Sequence, residues 1–74
     1  MILYTKTICP KCLSIKSMLK NSGIEFQEIN VDEDPSVAEM LREKGFMAAP
    51  IMYHEENFVL SVAEMMSIVS DLTA

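Results

Sequence analysis

Cys9-Pro10-Lys11-Cys12 constrains this chain more than any other stretch. These are the only two cysteines, and they lie between a short apolar strand candidate, Ile2 to Tyr4, and an amphipathic helix candidate. Pro10 suits the first helical position, because its φ is preset and that position needs no N–H partner. Cys9 then falls at the N-cap. Cys12 falls one turn inside, on the face shared by Ile15, Met18 and Leu19. A thiol pair in a strand–turn–helix context reads as a redox dithiol, whereas a zinc site would need two more ligands.

The rest of the chain supplies the elements that such a dithiol needs behind it. Gly23 stops the first helix. Residues 24–31 read as a second strand, although Ile24 and Phe26 share one parity and Ile29 and Val31 the other. A strand covered on both faces, or a bulge, would account for that. Asp34-Pro35 opens a second helix with proline again at its first position. Val37, Met40 and Leu41 make its buried stripe, and Gly45 follows its last residue. Pro50 to Tyr53 and Phe58 to Leu60 read as short strands, with His54-Glu55-Glu56-Asn57 as the hairpin turn between them. Ser61-Val62-Ala63-Glu64 has the pattern of a capping box. Met65, Ile68, Val69 and Leu72 form the inner face of that last helix. The order is β-α-β-α-β-β-α, an α/β class, with the first two strands parallel across a right-handed crossover. One domain over residues 1–74 is expected.

Composition narrows the function classes. Half of the residues are apolar, yet no apolar run approaches the roughly 20 needed to span a bilayer. Met1 leads into the first strand with no basic and apolar leader before it, so a cytoplasmic, membrane-free protein is expected. Two cysteines three positions apart cannot staple a fold of this size, which argues against a structural disulfide framework. The net charge of −5 argues against nucleic-acid binding. It also hides an asymmetry. Residues 1–20 carry Lys6, Lys11, Lys16 and Lys20 and no acid, while residues 21–74 carry all eleven acids with only Arg42 and Lys44. Positive charge beside the dithiol favours thiolate and draws in anionic thiols or acidic partner surfaces. Lys16 and Lys20 read equally well as the solvated face of a helix.

The dithiol pattern has a mechanism attached. In thiol–disulfide exchange the attacking species is the thiolate. A free cysteine has a pKa near ~8.5, and an N-terminal helix position is worth up to ~2 kcal/mol to an anion, about one pKa unit or slightly more. Cys9 at the N-cap is therefore the candidate nucleophile, and the core-facing Cys12 the candidate resolving thiol. Two other readings stay open: two unrelated small core residues, or half of an intersubunit metal site. His54 sits in a polar turn and reads as a solvated residue. The seven methionines read as core filling, with Met47 and Met52 set apart because they flank Pro50.

With these residues in place the whole chain resembles the glutaredoxin family, and within it the small redoxins of the NrdH type. Three stretches carry the resemblance: Tyr4-Thr5-Lys6-Thr7-Ile8-Cys9-Pro10-Lys11-Cys12, then Ile29-Asn30-Val31-Asp32-Glu33-Asp34, then Gly45-Phe46 through Ala49-Pro50. The resemblance implies a thioredoxin fold, a four-stranded mixed sheet flanked by three helices. It implies a cis Ala49-Pro50 bond, with the Ala49 backbone offered to a peptide or glutathione. It implies that Lys6 sits near the nucleophile and meets a glutathione carboxylate. Without the resemblance, Pro50 is an ordinary strand-start proline.

Two departures bear on the electron donor. Glutathione-using members carry Gly-Gly and an acid at the start of the last helix, where this chain reads Leu60-Ser61-Val62-Ala63-Glu64. Ser61 at a helix N-terminus still offers a carboxylate site. NrdH-type members carry a Trp-Ser-Gly-Phe-like stretch there, and this chain has no tryptophan. The expected activity is thiol–disulfide exchange on protein disulfides, with thioredoxin reductase or glutathione as donor and ribonucleotide reductase as the implied acceptor. Cys9 and Cys12 carry the chemistry, and Lys6, Pro10, Lys11, Ala49, Pro50 and Ser61 form the docking set. No tightly bound cofactor or metal is expected, and a monomer is the default. The alternatives are a glutathione-linked iron–sulfur module, disfavoured by Pro10, and a redox-inert domain that keeps only the fold.

Overall fold

The computed structural model describes residues 1–74. Its elements are β1 (Ile2–Thr5), α1 (Pro10–Asn21), β2 (Gln27–Asn30), a 3-10 turn at Val31–Glu33, α2 (Pro35–Glu43), β3 (Ile51–His54), β4 (Asn57–Val59) and α3 (Val62–Leu72). The strands form one mixed sheet in the order β2-β1-β3-β4. β1 and β2 run parallel, and the other neighbours are antiparallel. A parallel pair needs a crossover, and α1 provides it.

Strand alternation sorts the side chains onto two faces. Leu3, Met52 and Val59 point to one face, where they meet Ile15 and Leu19 of α1 and Met65 and Val69 of α3. Tyr4 and Ile51 point to the other, where Leu41 of α2 covers them, with Val37, Met40, Phe46 and Phe58 around it. The sheet is thus packed by two helices on one side and by α2 alone on the other.

The disputed phase of the second strand has a plain cause. The strand is shorter than residues 24–31 and begins at Gln27, whose N–H donates to the Met1 carbonyl at 3.0 Å. Ile24 and Phe26 precede it and pack with the α1 and α3 cluster, whereas Ile29 and Val31 pack with the α2 cluster. No bulge is needed. β3 and β4 are each displaced by one residue from their expected bounds, so Leu60 lies outside the sheet and is exposed.

The C-termini of α1 and α2 close in the same way. Gly23 (φ +70°) and Gly45 (φ +82°) adopt left-handed backbone after α1 and α2. The next residues, Ile24 and Phe46, donate their N–H back to the Leu19 and Leu41 carbonyls at 3.1 and 2.9 Å. That is a Schellman closure, each with its apolar contact into the core. Ser61 caps α3, accepting from the Glu64 N–H at 3.4 Å, but Glu64 forms no reciprocal bond, so only half of the capping box is present. Leu72 does not belong to the inner face: it is 48% exposed, while Val62 packs against the core. Met52 and Met65 are fully buried, as core filling requires, but Met47 is 70% exposed and Met66 is also exposed.

Candidate redox site

β1, a central strand, delivers the chain to the dithiol at one end of the sheet. Cys9 has extended backbone (φ −152°, ψ 94°) and is the N-cap of α1, with Pro10 in the first turn. Its Sγ accepts a hydrogen bond from the Cys12 backbone N–H at 3.1 Å. One of the helix's free N–H groups therefore already points at the sulfur, and the helix dipole favours negative charge there. A thiolate accepts such a bond more strongly than a neutral sulfur, so the cap tightens on ionisation. No acidic residue occupies the first turn of α1 to oppose this. Cys9 and Cys12 are joined as a disulfide with Cα atoms 5.2 Å apart. Their exposures differ: Cys9 is half-buried and Cys12 only 2% exposed. A partner sulfur can reach Cys9; Cys12 is covered.

The loop before Cys9 is held from across the sheet. The Thr7 N–H donates to Asp32 Oδ2 at 2.8 Å. The Asn30 side chain closes the ring, its Nδ2 donating to Thr7 Oγ1 at 3.3 Å and its Oδ1 accepting from the Asp32 N–H at 2.9 Å. The hydrogen bond from the Thr7 backbone, reinforced by the Lys6 charge, holds the Asp32 carboxyl below its ordinary range. A second clamp lies under α1. Thr5 Oγ1 and Lys16 Nζ both donate to Glu28 Oε2, at 3.0 and 3.2 Å. Burial works against ionisation of Glu28, but these bonds and the Lys16 and Lys20 charges outweigh it, so its pKa is lowered. Lys16 is thus more than a solvated lysine: it ties the helix bearing Cys12 to β2.

Ala49-Pro50 is a cis peptide bond. The antiparallel register pairs Tyr4 with Ile51, so Pro50 enters β3 at the end of the sheet where β1 leaves for Cys9. Pro50 is buried and Ala49 half-buried. Lys6 and Ala49 line one cleft of about 100 Å³ against α2. Pro10 and Lys11 are exposed in the first turn of α1. Ser61 does not line that cleft; its Oγ accepts from the Glu64 N–H of its own helix, and its O–H remains a donor. Ile8, just before the nucleophile candidate, is 92% exposed.

Sequence reasoning missed the roles of Asn30, Asp32, Glu28 and Arg42. Asn30-Val31-Asp32 carries a legible signal, since an asparagine that bonds its own backbone two residues on is a turn former. Nothing local announces that Asp32 would reach Thr7, or that Arg42 would line a cleft with Lys6.

A disulfide at a helix N-cap, on this sheet, with a cis proline at the same sheet end, defines a thiol–disulfide oxidoreductase of the thioredoxin fold. The family model described as Glutaredoxin matches residues 1–59. The chain belongs to the glutaredoxin family. It is 39% identical over 54 residues to the glutaredoxin-like protein NrdH of Lactococcus lactis, covering 73% of this chain and 75% of that one. It is 40% identical over 50 residues to the NrdH protein of Escherichia coli, covering 68% and 62%. The solved structure of the Escherichia coli NrdH-redoxin superposes with a TM-score of 0.79 at 29% identity, covering 90% of this chain and 91% of that one. No helix here is long and apolar enough to cross a membrane.

Proposed function

We propose that Cys9 is the nucleophile and Cys12 the resolving thiol of a redoxin that reduces protein disulfides. The observation that carries this is the Cys12 N–H bonded to Cys9 Sγ while Cys12 itself is buried. The Cys9 thiolate attacks one sulfur of the substrate cystine, forming a mixed disulfide, and the other substrate sulfur leaves and takes up a proton. Cys12 then loses its proton and attacks Cys9 Sγ, releasing the second substrate thiol. Two electrons pass to the substrate, and the Cys9–Cys12 disulfide remains, the oxidised state seen here. Lys6 and Lys11 steer anionic partners, and Ala49-Pro50 receives the substrate backbone.

A thioredoxin-reductase-type flavoenzyme is the proposed donor. Two features support it: the missing Gly-Gly element at Ser61, and likeness to a redoxin whose structure is described as explaining a thioredoxin-like activity profile. Ribonucleotide reductase is the proposed acceptor, and a monomeric single domain in the cytoplasm the proposed setting. The test is NADPH consumption with a cystine protein under two systems, thioredoxin reductase alone or glutathione with glutathione reductase. Turnover with thioredoxin reductase is expected, and turnover only with glutathione would reassign the donor. Cys9→Ser should abolish turnover, by at least about a thousandfold, since removal of an activated nucleophile leaves little else. A Cys9→Ser protein with full activity would end the redox reading.

A further inference from the structure

Met47 stands apart from the other methionines of the chain. Of the seven, Met52 and Met65 are fully buried and Met1, Met18 and Met40 half-buried. Only Met47, 70% exposed, and Met66, 47% exposed, present their thioethers to water. Met66 lies on α3, which packs against the opposite face of the sheet from α2. Met47 lies two residues before Ala49, in a cleft lining where nine of eleven residues are hydrophobic. The exchange chemistry proposed above gives it no part.

A thioether is a two-electron nucleophile, and exposure decides how readily an oxidant reaches it. In the dithiol state Cys9 is the stronger competitor. Its thiolate attacks hydrogen peroxide, the O–O bond breaks, hydroxide leaves and a sulfenic acid forms. Cys12 condenses with it, water leaves and the Cys9–Cys12 disulfide results. One equivalent of peroxide is consumed and Met47 is spared. In the disulfide state no free thiol remains. The Met47 sulfur then attacks peroxide, an S–O bond forms as the O–O bond breaks, and water leaves. The thioether is oxidised by two electrons to the sulfoxide, and the peroxide is reduced by two. The product is polar where the thioether was apolar. Ala49 and Met47 line the same cleft, so an extended segment laid along Ala49 lies beside this sulfur. We propose that Met47 is a modification site, oxidised to its sulfoxide by peroxide once the dithiol is spent, and that the sulfoxide weakens docking of the substrate disulfide at the Ala49 loop. This rests on the docking at Ala49 proposed above.

The experiment treats the full-length protein with hydrogen peroxide, starting from the dithiol form, and follows each methionine by peptide mass spectrometry. Met47 sulfoxide should stay at background while the first equivalent is consumed. It should then accumulate ahead of every methionine except Met66. Dithiothreitol next restores the dithiol and leaves sulfoxides in place, and a thiol count confirms that neither cysteine was over-oxidised. KM for a cystine peptide should be raised about fivefold with kcat little changed, the scale of losing part of one methionine's apolar contact. Met47→Leu cannot form the sulfoxide, and its KM should be the same before and after treatment. Met66→Leu should keep the fivefold rise, which sets oxidation of α3 aside as the cause. Met47 that stays unoxidised while Met66 is converted, full conversion of Met47 with no rise in KM, or an equal rise in Met47→Leu overturns the inference while the redox reading stands. Full turnover by untreated Cys9→Ser would instead remove the redox reading beneath it.

Discussion

At residue scale, the two ends of the hydrogen bond between Cys12 and Cys9 were the most legible part of the site. N-cap, first-turn proline and core-facing cysteine are all local in sequence. The same locality explains what stayed hidden. Thr7 and Asp32 meet across 25 positions, and only the parallel pairing of β1 with β2 brings them together. The Asp32 carboxyl titrates below its ordinary value of 3.8, so the charged form favours the closed clamp. The sign follows: this contribution is complete above the ordinary aspartate range and is lost as pH falls through the lowered folded value. The Thr7 amide resonance followed by NMR should therefore titrate with a midpoint below 3.8, and Asp32→Asn should abolish that titration. A midpoint at or above the ordinary value would mean that the bond does not persist in solution.

At element scale, helix starts and stops were readable and strand bounds were not. Prolines and glycines mark helix ends by their backbone limits, whereas a strand ends where its ladder partner ends, which is a tertiary fact. The β3–β4 hairpin shows the gap. His54 pairs with Asn57, and the two residues between them, Glu55 and Glu56, have φ of +50° and +65°. A two-residue turn with both φ positive ordinarily carries Asn-Gly, because L side chains there cost about 1–2 kcal/mol each. Here two like-charged glutamates hold it. Replacing Glu55 with Asn and Glu56 with Gly should stabilise the protein by about 1–2 kcal/mol, read as a higher urea midpoint at unchanged m-value. An unchanged midpoint would show that the turn is relaxed in solution.

At the scale of the whole molecule, the fold class and the order of elements followed from the alternation of apolar periods, but the division of the core did not. Two clusters, one under α1 and α3 and one under α2, share a sheet only four strands wide. Domains of this length have stabilities of about 4–11 kcal/mol. Leu19 is fully buried where α1 meets the sheet, and Leu19→Ala should cost about 2–5 kcal/mol, up to the whole margin. Thermal melting should show a fall of about eight degrees or more, on the order of 4–8 °C for each kcal/mol. A fall of only a degree or two would show that the core closes over the gap.

The cleft draws most of its wall from one continuous stretch, Ala38 to Ile51, while the cysteines and their cap belong to another, Cys9 to Cys12. The cleft wall and the dithiol are thus written on separate pieces of chain that meet only in the fold. A graft of the stretch between Arg42 and Ala49 would then rebuild that wall and leave every residue of the thiol cap in place. The surface beside the dithiol is thus free to vary by drift in one loop and one helix end, the cysteine pair staying as it was.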